Sequence, residues 1–405
     1  MPVSEKMKTA VKNGSMVRKM FEEGLRLKAL HGEEKVFDYS LGNPDLPPPA
    51  ALKKTLTALI DEDPPGAHAY MPNAGLTGVR AKLAESLQKA IGVEVRPELI
   101  VMTVGAAGAL NVALKTILDP GDKAVVLAPF FMEYKFYVEN HGGQTIVAET
   151  DASFRPDPVA LAETLTPDVR AVIINSPNNP TGAVYTDQEL QGLAEALSEK
   201  SRIHGRPIAL ISDEPYRRLV YGGTSAPSAL AAYPATVAVS SFSKDLSIPG
   251  ERLGYLCVNP NFPQAEEFAA AAALANRILG FVNAPALMQR AAAELVDESV
   301  DVGEYARRVE SLGSALTKLG YEVVKPQGTF YLFPKSPLAD DVAFVELLKK
   351  ELILAVPGTG FARRGYFRLS LCLSEDKIAR SLGGFEKAMA EALRRGQSGR
   401  GDKSS

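Results

Sequence analysis

The strongest constraint on this chain is a repeated change of period along its middle. Short β-rich apolar runs alternate with segments whose apolar residues fall at helix spacing. Residues 99–103 read LIVMT and end at Gly105; Leu110, Ala113, Leu114 and Ile117 follow at helical intervals. Further apolar runs stand at residues 124–127, 145–148, 171–174, 208–211, 237–239 and 254–258. Between two of them lie Leu190, Leu193, Ala194 and Leu197, preceded by Thr186 and Glu189, the spacing of a helix-opening capping box. Seven such runs, several separated by helices, predict an α/β fold whose mostly parallel seven-stranded sheet is covered on both faces.

Beyond about residue 290 the pattern changes to a long helix over 304–319 and strands at 321–324, 328–333 and 366–371. This predicts a smaller α+β domain. The expected organisation is an N-terminal segment joining the small domain (1–47), a large domain (48–290) and a small C-terminal domain (291–393). Residues 394–405, rich in Arg, Gly, Ser and Lys, are expected to be a disordered tail. The PDLPPP run at 44–49 has the composition of a hinge or linker.

Composition removes several function classes. Lys plus Arg total 45 against 48 for Asp plus Glu, a net charge of -3, so no basic excess invites a nucleic-acid backbone. Two cysteines, Cys257 and Cys372, cannot build a disulfide framework or a C-x-x-C zinc site. The histidines (His31, His68, His141 and His204) are scattered, without H-E-x-x-H spacing, and no G-x-S-x-G elbow occurs. No apolar stretch is long enough to span a membrane. The N-terminal residues carry charges where a secretory signal needs an apolar core, so a cytoplasmic protein is expected.

In an open parallel sheet, ligands bind beyond the carboxyl ends of the strands. After the first run comes a Gly105-Ala106-Ala107-Gly108 turn opening a helix, which matches neither G-x-G-x-x-G nor a P-loop. Phe131 follows the second run, and Asn179-Pro180-Thr181-Gly182 follows the fourth. Asp213 and Tyr216 follow the fifth; Ser241, Ser243 and Lys244 follow the sixth, with Arg252 eight residues on. Each alone has an ordinary reading: a tight turn, rim packing, a helix cap, a surface lysine. Together they describe one site. A lysine whose pKa is lowered can form an imine. A neighbouring carboxylate suits a pyridinium nitrogen. Arginine, hydroxyls and helix amides neutralise a phosphate, and an aromatic face stacks on a flat ring.

With NNPTG, SDEPY, SFSK and RLGY in this order and spacing, the chain resembles a class I/II aminotransferase of the fold-type-I pyridoxal-phosphate superfamily, similar to the aspartate aminotransferase group. The matching run extends from Gly42 to Arg368. The resemblance implies pyridoxal 5'-phosphate as cofactor, with Lys244 as its Schiff-base lysine and proton shuttle. Asp213 is implied as the partner of the ring nitrogen, and Tyr216 and Asn179 as partners of the ring's phenolic oxygen. Phe131 would stack on the ring in a chain that has no Trp. Ala106, Ala107, Ser241, Ser243 and Arg252 would form the phosphate cup. Tyr70 would reach a phosphate across a dimer interface, so a homodimer with shared active sites is implied. Arg368 would grip the substrate α-carboxylate, with a backbone contact from Gly42 and with Asn179 close by. The implied reaction moves an amino group between an L-amino acid and a 2-oxo acid. A C–S β-lyase or an amino-acid decarboxylase on the same scaffold is the alternative. Some relatives carry a lysine where this chain has Ala107, which weakens a dicarboxylic reading. Arg277 lies near a segment that supplies a partner-subunit arginine in some relatives and is equally readable as a surface helix residue; Asn283 is a weaker cross-subunit candidate.

Overall fold

The computed structural model describes residues 2–401 except 13 and 15. All seven apolar runs become strands of one sheet. They are β1 (Ile100–Thr103), β2 (Lys123–Ala128), β3 (Gln144–Glu149), β4 (Val169–Asn175), β5 (Ala209–Asp213), β6 (Thr236–Ser241) and β7 (Gly254–Val258). Their spatial order is β1-β7-β6-β5-β4-β2-β3. β7 runs antiparallel to both of its neighbours, and the remaining pairs are parallel. The carboxyl ends of the parallel strands and the amino end of β7 therefore share one rim.

The sheet is apolar on both faces because it is covered on both. In β4, Val172 and Ile174 pack with Leu190 and Leu193 of the helix Asp187–His204. The alternate residues Ala171 and Ile173 pack on the other side, with Leu110 and Leu114 of the helix Gly105–Ile117 and Ala272 of the helix Ala265–Ile278. The capping box closes as its spacing predicts. The Thr186 hydroxyl accepts from the Glu189 amide at 3.2 Å, and the Glu189 carboxylate accepts from the Thr186 amide at 2.7 Å.

The small domain is built on β8 (Tyr331–Leu332), β9 (Val356–Pro357) and β10 (Phe367–Ser370), an antiparallel sheet in the order β9-β10-β8. The helix Val302–Lys318 lies over it, and Tyr305, Leu312, Phe330, Phe344, Phe367 and Phe385 fill the core. Phe37–Asp38 pair in parallel with Ile353–Leu354, which ties the N-terminal segment to this domain.

Three expectations need correction. Residues 321–324 form no strand: Tyr321 is held instead by its side chain, whose hydroxyl donates to the Phe385 carbonyl at 2.9 Å. Of residues 328–333 only Tyr331–Leu332 enter a ladder, so burial rather than strand pairing explains that apolar run. The expected tail begins inside a helix, Glu375–Gly401, whose side chains as far as Ala392 pack on the core; residues 402–405 lie outside the described residues. The proline run is also less free than its composition suggests. Arg308 grips Asp45 with bonds of 2.9 and 2.8 Å, and Pro49 caps the helix Ala50–Glu62.

Candidate active site

The shared rim opens into a cavity of 270 Å³ between the sheet and the small domain. Ala106, Ala107, Phe131, Asn179, Asp213 and Tyr216 line it, as do Ser241, Ser243, Lys244, Arg252, Gly42 and Arg368. Twelve of the thirteen site residues expected from the sequence thus meet in one place. Tyr70 does not. It is 93 % exposed, on a surface patch with Met71, Phe281, Val282 and Asn283. Arg277 is exposed, and Asn283 donates to the Pro72 carbonyl at 2.9 Å.

Each edge of the cavity has its own electrostatics. The helix Gly105–Ile117 starts without a side-chain cap, so its first amides are left for another acceptor. The Arg252 guanidinium lies above that helix start. A Cβ at position 105 would stand 2.8 Å from its Nη2, so Gly105, at φ +77°, leaves room for it. Arg252 itself holds a left-handed φ of +53°, a cost of about 1 kcal/mol or more for a residue with a Cβ. Ser241 and Ser243 border the same corner.

Asp213 stands at the end of β5, buried. Tyr134 donates to its Oδ2 at 2.5 Å, while Oδ1 is buried with no hydrogen-bond partner. Burial pushes this carboxyl up to about 7, the Tyr134 bond and Lys244 acting against it and Glu214 with it. An acceptor oxygen kept dry and unpaired is costly unless a donor or cation completes it. Burial likewise draws Lys244 down to about 8, helped by Arg368 and Arg252. Its Nζ donates to the Gly42 carbonyl at 2.8 Å.

Arg368, on β10, is 2 % exposed and has no carboxylate within ion-pairing reach among the described residues. Its Nη1 donates to Asn179 Oδ1 at 3.0 Å and its Nη2 to the Ser40 carbonyl at 2.5 Å, while Nε is unpartnered. Its guanidinium lies between the rings of Tyr331, at 4.6 Å, and Phe361, at 4.8 Å. Arg368 is therefore not half of a structural ion pair among the described residues.

These features fit pyridoxal 5'-phosphate. A cationic ring nitrogen would complete Asp213 Oδ1, a phosphate would complete the helix start and Arg252, and Lys244 offers an amine to an aldehyde. Sequence reasoning missed Tyr134, Tyr331, Phe361 and the apolar wall of Val17, Leu41 and Tyr137. For Tyr134 a signal existed, because it sits three residues after Phe131, whose ring it meets edge-on at 5.8 Å. Tyr331 had none, since it reaches the site from another domain.

Comparison with known proteins decides the family. The family model "Aminotransferase class I and II" matches residues 34–384. The chain belongs to this family. An aspartate/prephenate aminotransferase of Thermus thermophilus is 33% identical over 87% of the chain and 90% of its own length. An aromatic-amino-acid aminotransferase of Thermococcus litoralis is 30% identical, over 94% of the chain and 96% of its own length. Among solved structures, an aminotransferase from Eubacterium rectale superposes with a TM-score of 0.93 at 36% identity, covering 97% of the chain and 99% of the other. The chain is thus a pyridoxal-phosphate-dependent aminotransferase of amino and 2-oxo acids, and these relatives do not favour a lyase or decarboxylase. Among the described residues no helix is long and apolar enough to cross a membrane.

Proposed function

We propose that this aminotransferase accepts L-amino acids whose side chains are uncharged and apolar, in a homodimer. A count of charges supports the substrate reading. Three basic side chains line the cavity: Lys244, Arg252 and Arg368. Each has a task, at the aldehyde, the phosphate and the α-carboxylate, and among the described residues of one protomer no fourth cation lines the cavity to meet a side-chain carboxylate. Val17, Leu41, Phe131 and Tyr137 border the remaining space, and the turn that opens the helix Gly105–Ile117 holds Ala107 where some relatives carry a lysine.

Pyridoxal 5'-phosphate, when bound, supplies an electrophilic carbon and an electron-withdrawing ring. The protein residues do the rest. Asp213 Oδ1 would hold a proton on the ring nitrogen. Tyr216 and Asn179 would meet the ring's phenolic oxygen, and Phe131 would cover the ring. Ala106, Ala107, Ser241, Ser243 and Arg252 would bind the phosphate. Arg368 orients the substrate through its carboxylate, beside Gly42. Lys244, with its pKa already drawn down to about 8, takes the proton from the substrate α-carbon and returns it as an acid. The small domain, residues 291–393 joined by residues 1–47, screens these steps from water.

Tyr70 supports the homodimer. An aromatic residue 93 % exposed, on a patch with Phe281 and Val282, suits a neighbouring copy better than water. Two free cysteines suit a reducing cytoplasm. The single observation that carries the reading is that the three cations lining the cavity each have a task, which leaves none of the described lining residues for a side-chain carboxylate. A donor screen tests it: phenylalanine, leucine and methionine should exceed aspartate and glutamate in kcat/KM by about tenfold or more. A preference for aspartate would contradict it.

A further inference from the structure

We propose that Tyr331 is a positioning residue of this site, its hydroxyl aligning Tyr216 and its ring holding Arg368. The inference rests on the roles proposed above for those two residues.

Tyr331 comes from β8 of the small domain and is 2 % exposed. A phenol so buried needs a polar partner. Its hydroxyl lies 3.0 Å from that of Tyr216, and the two rings meet edge-on at 5.7 Å. Either hydroxyl can donate in this pair. Tyr216 has one proton. When that proton turns into the cavity, the contact between the two hydroxyls is kept only with Tyr331 as the donor and the Tyr216 oxygen as the acceptor. Two phenols in series polarise each other, so Tyr216 becomes a stronger donor than a lone tyrosine.

The other part of Tyr331 acts on Arg368. With the Tyr331 ring 4.6 Å away and the Phe361 ring 4.8 Å away, the guanidinium is held by two aromatic faces and keeps its charge for an incoming anion. An acidic neighbour would hold Arg368 equally well but would neutralise it.

Gly42 gives an independent indication. A Cβ at position 42 would stand 1.9 Å from the Tyr331 hydroxyl oxygen and 2.8 Å from Cζ. Gly42 does not have a positive φ, so space rather than backbone freedom makes glycine necessary here. The space it leaves is filled by Tyr331, and the same glycine's carbonyl receives Lys244. One side chain therefore touches the ring-facing tyrosine, the carboxylate-facing arginine and the segment that receives the reactive lysine.

The test separates hydroxyl from ring in the cofactor-loaded enzyme. In Tyr331→Phe the Tyr216 hydroxyl loses its donor and stabilises the phenolic oxygen less. The pH midpoint of the bound cofactor's visible band should rise by about 0.7 unit, the worth of one hydrogen bond. Binding of 3-phenylpropionate, a carboxylate without an amine, should change by less than about twofold, because the ring remains. In Tyr331→Leu the midpoint should rise likewise and that carboxylate should bind about fivefold more weakly. Gly42→Ala should move the midpoint too, and by less when made in the Tyr331→Phe background. An unmoved midpoint in Tyr331→Phe, or unchanged carboxylate binding in a folded Tyr331→Leu, overturns the proposal. Should the leucine variant not fold, the midpoint of the phenylalanine variant decides alone. A wild-type protein without any visible band would instead overturn the roles of Lys244 and Asp213, and this proposal with them.

Discussion

The two sides of the cavity are built by different means. On the sheet side, Asp213 ends a strand of the sheet, and Lys244, Asn179 and the Ala106-Ala107 turn each follow one. The backbone ladder sets their spacing, so a local change in packing leaves it intact. On the facing side, Arg368 and Tyr331 stand on short strands, Phe361 lies in the turn Gly358–Phe361, and Ser40 and Gly42 come from the N-terminal segment. There, side-chain contacts set the geometry: two rings around a guanidinium and a hydroxyl in the space of an absent Cβ. Substitutions on the sheet side should remove chemistry and leave binding geometry in place. Those on the facing side should loosen the substrate and leave the cofactor bound.

The largest expected effect is at Lys244. Lys244→Ala should lower turnover by about 10⁴-fold or more, the upper range for a positioned acid–base group, while the protein still binds pyridoxal 5'-phosphate through its phosphate. Single-turnover absorbance and equilibrium dialysis measure the two. Asp213→Asn follows, at about 10³-fold in turnover, because a buried ring cation would lose the carboxylate that faces it. The same variant should behave differently without cofactor. In the wild type, burial raises the Asp213 carboxyl from 3.8 to about 7. The stability this group contributes is complete below about pH 4 and is lost as pH rises through 7. Cofactor-free Asp213→Asn should therefore melt above the cofactor-free wild type at pH 8, with the gap closing toward pH 4. A constant gap across that range would mean that charge burial is not the cause.

On the facing side, Arg368→Leu should cost about 100-fold in kcat/KM, mostly through KM, as expected for lost hydrogen bonds to a carboxylate. Its affinity for the cofactor without substrate should be nearly unchanged. A large loss of cofactor binding would erase the distinction between the two sides. The smallest effect is at Phe131. Replacement by leucine should weaken cofactor binding by about tenfold or less, the worth of one aromatic stack, as measured by dialysis. The dimer reading adds a sharper case. Tyr70→Phe should weaken cofactor binding only if the protein sediments as a dimer; a monomer with full activity would remove Tyr70 from the site.

The contrast also explains what was legible beforehand. The seven strands were visible because each is a continuous apolar run buried on both faces, and their order along the chain placed Asp213, Asn179 and Lys244 on a common rim. The small-domain strands were misplaced because residues 321–324 and 328–330 are apolar for packing reasons; Tyr321 and Phe330 fill the core without joining a ladder. Arg368 was found only through family resemblance, since nothing local distinguishes it from a paired arginine. Tyr331 and Phe361 were invisible because their role depends on tertiary contact with residues far away in the chain. The charges at 394–401 suggested disorder, yet the helix from Glu375 carries through to Gly401.

The most direct test of the central claim is chemical. The purified protein, loaded with pyridoxal 5'-phosphate, is reduced with borohydride and digested, and the peptides are weighed. A pyridoxyl group fixed on the peptide that contains Lys244, and absent from that peptide when an amino-acid donor is added first, is the predicted result. A label on another lysine, or no label while transamination proceeds, would contradict the account.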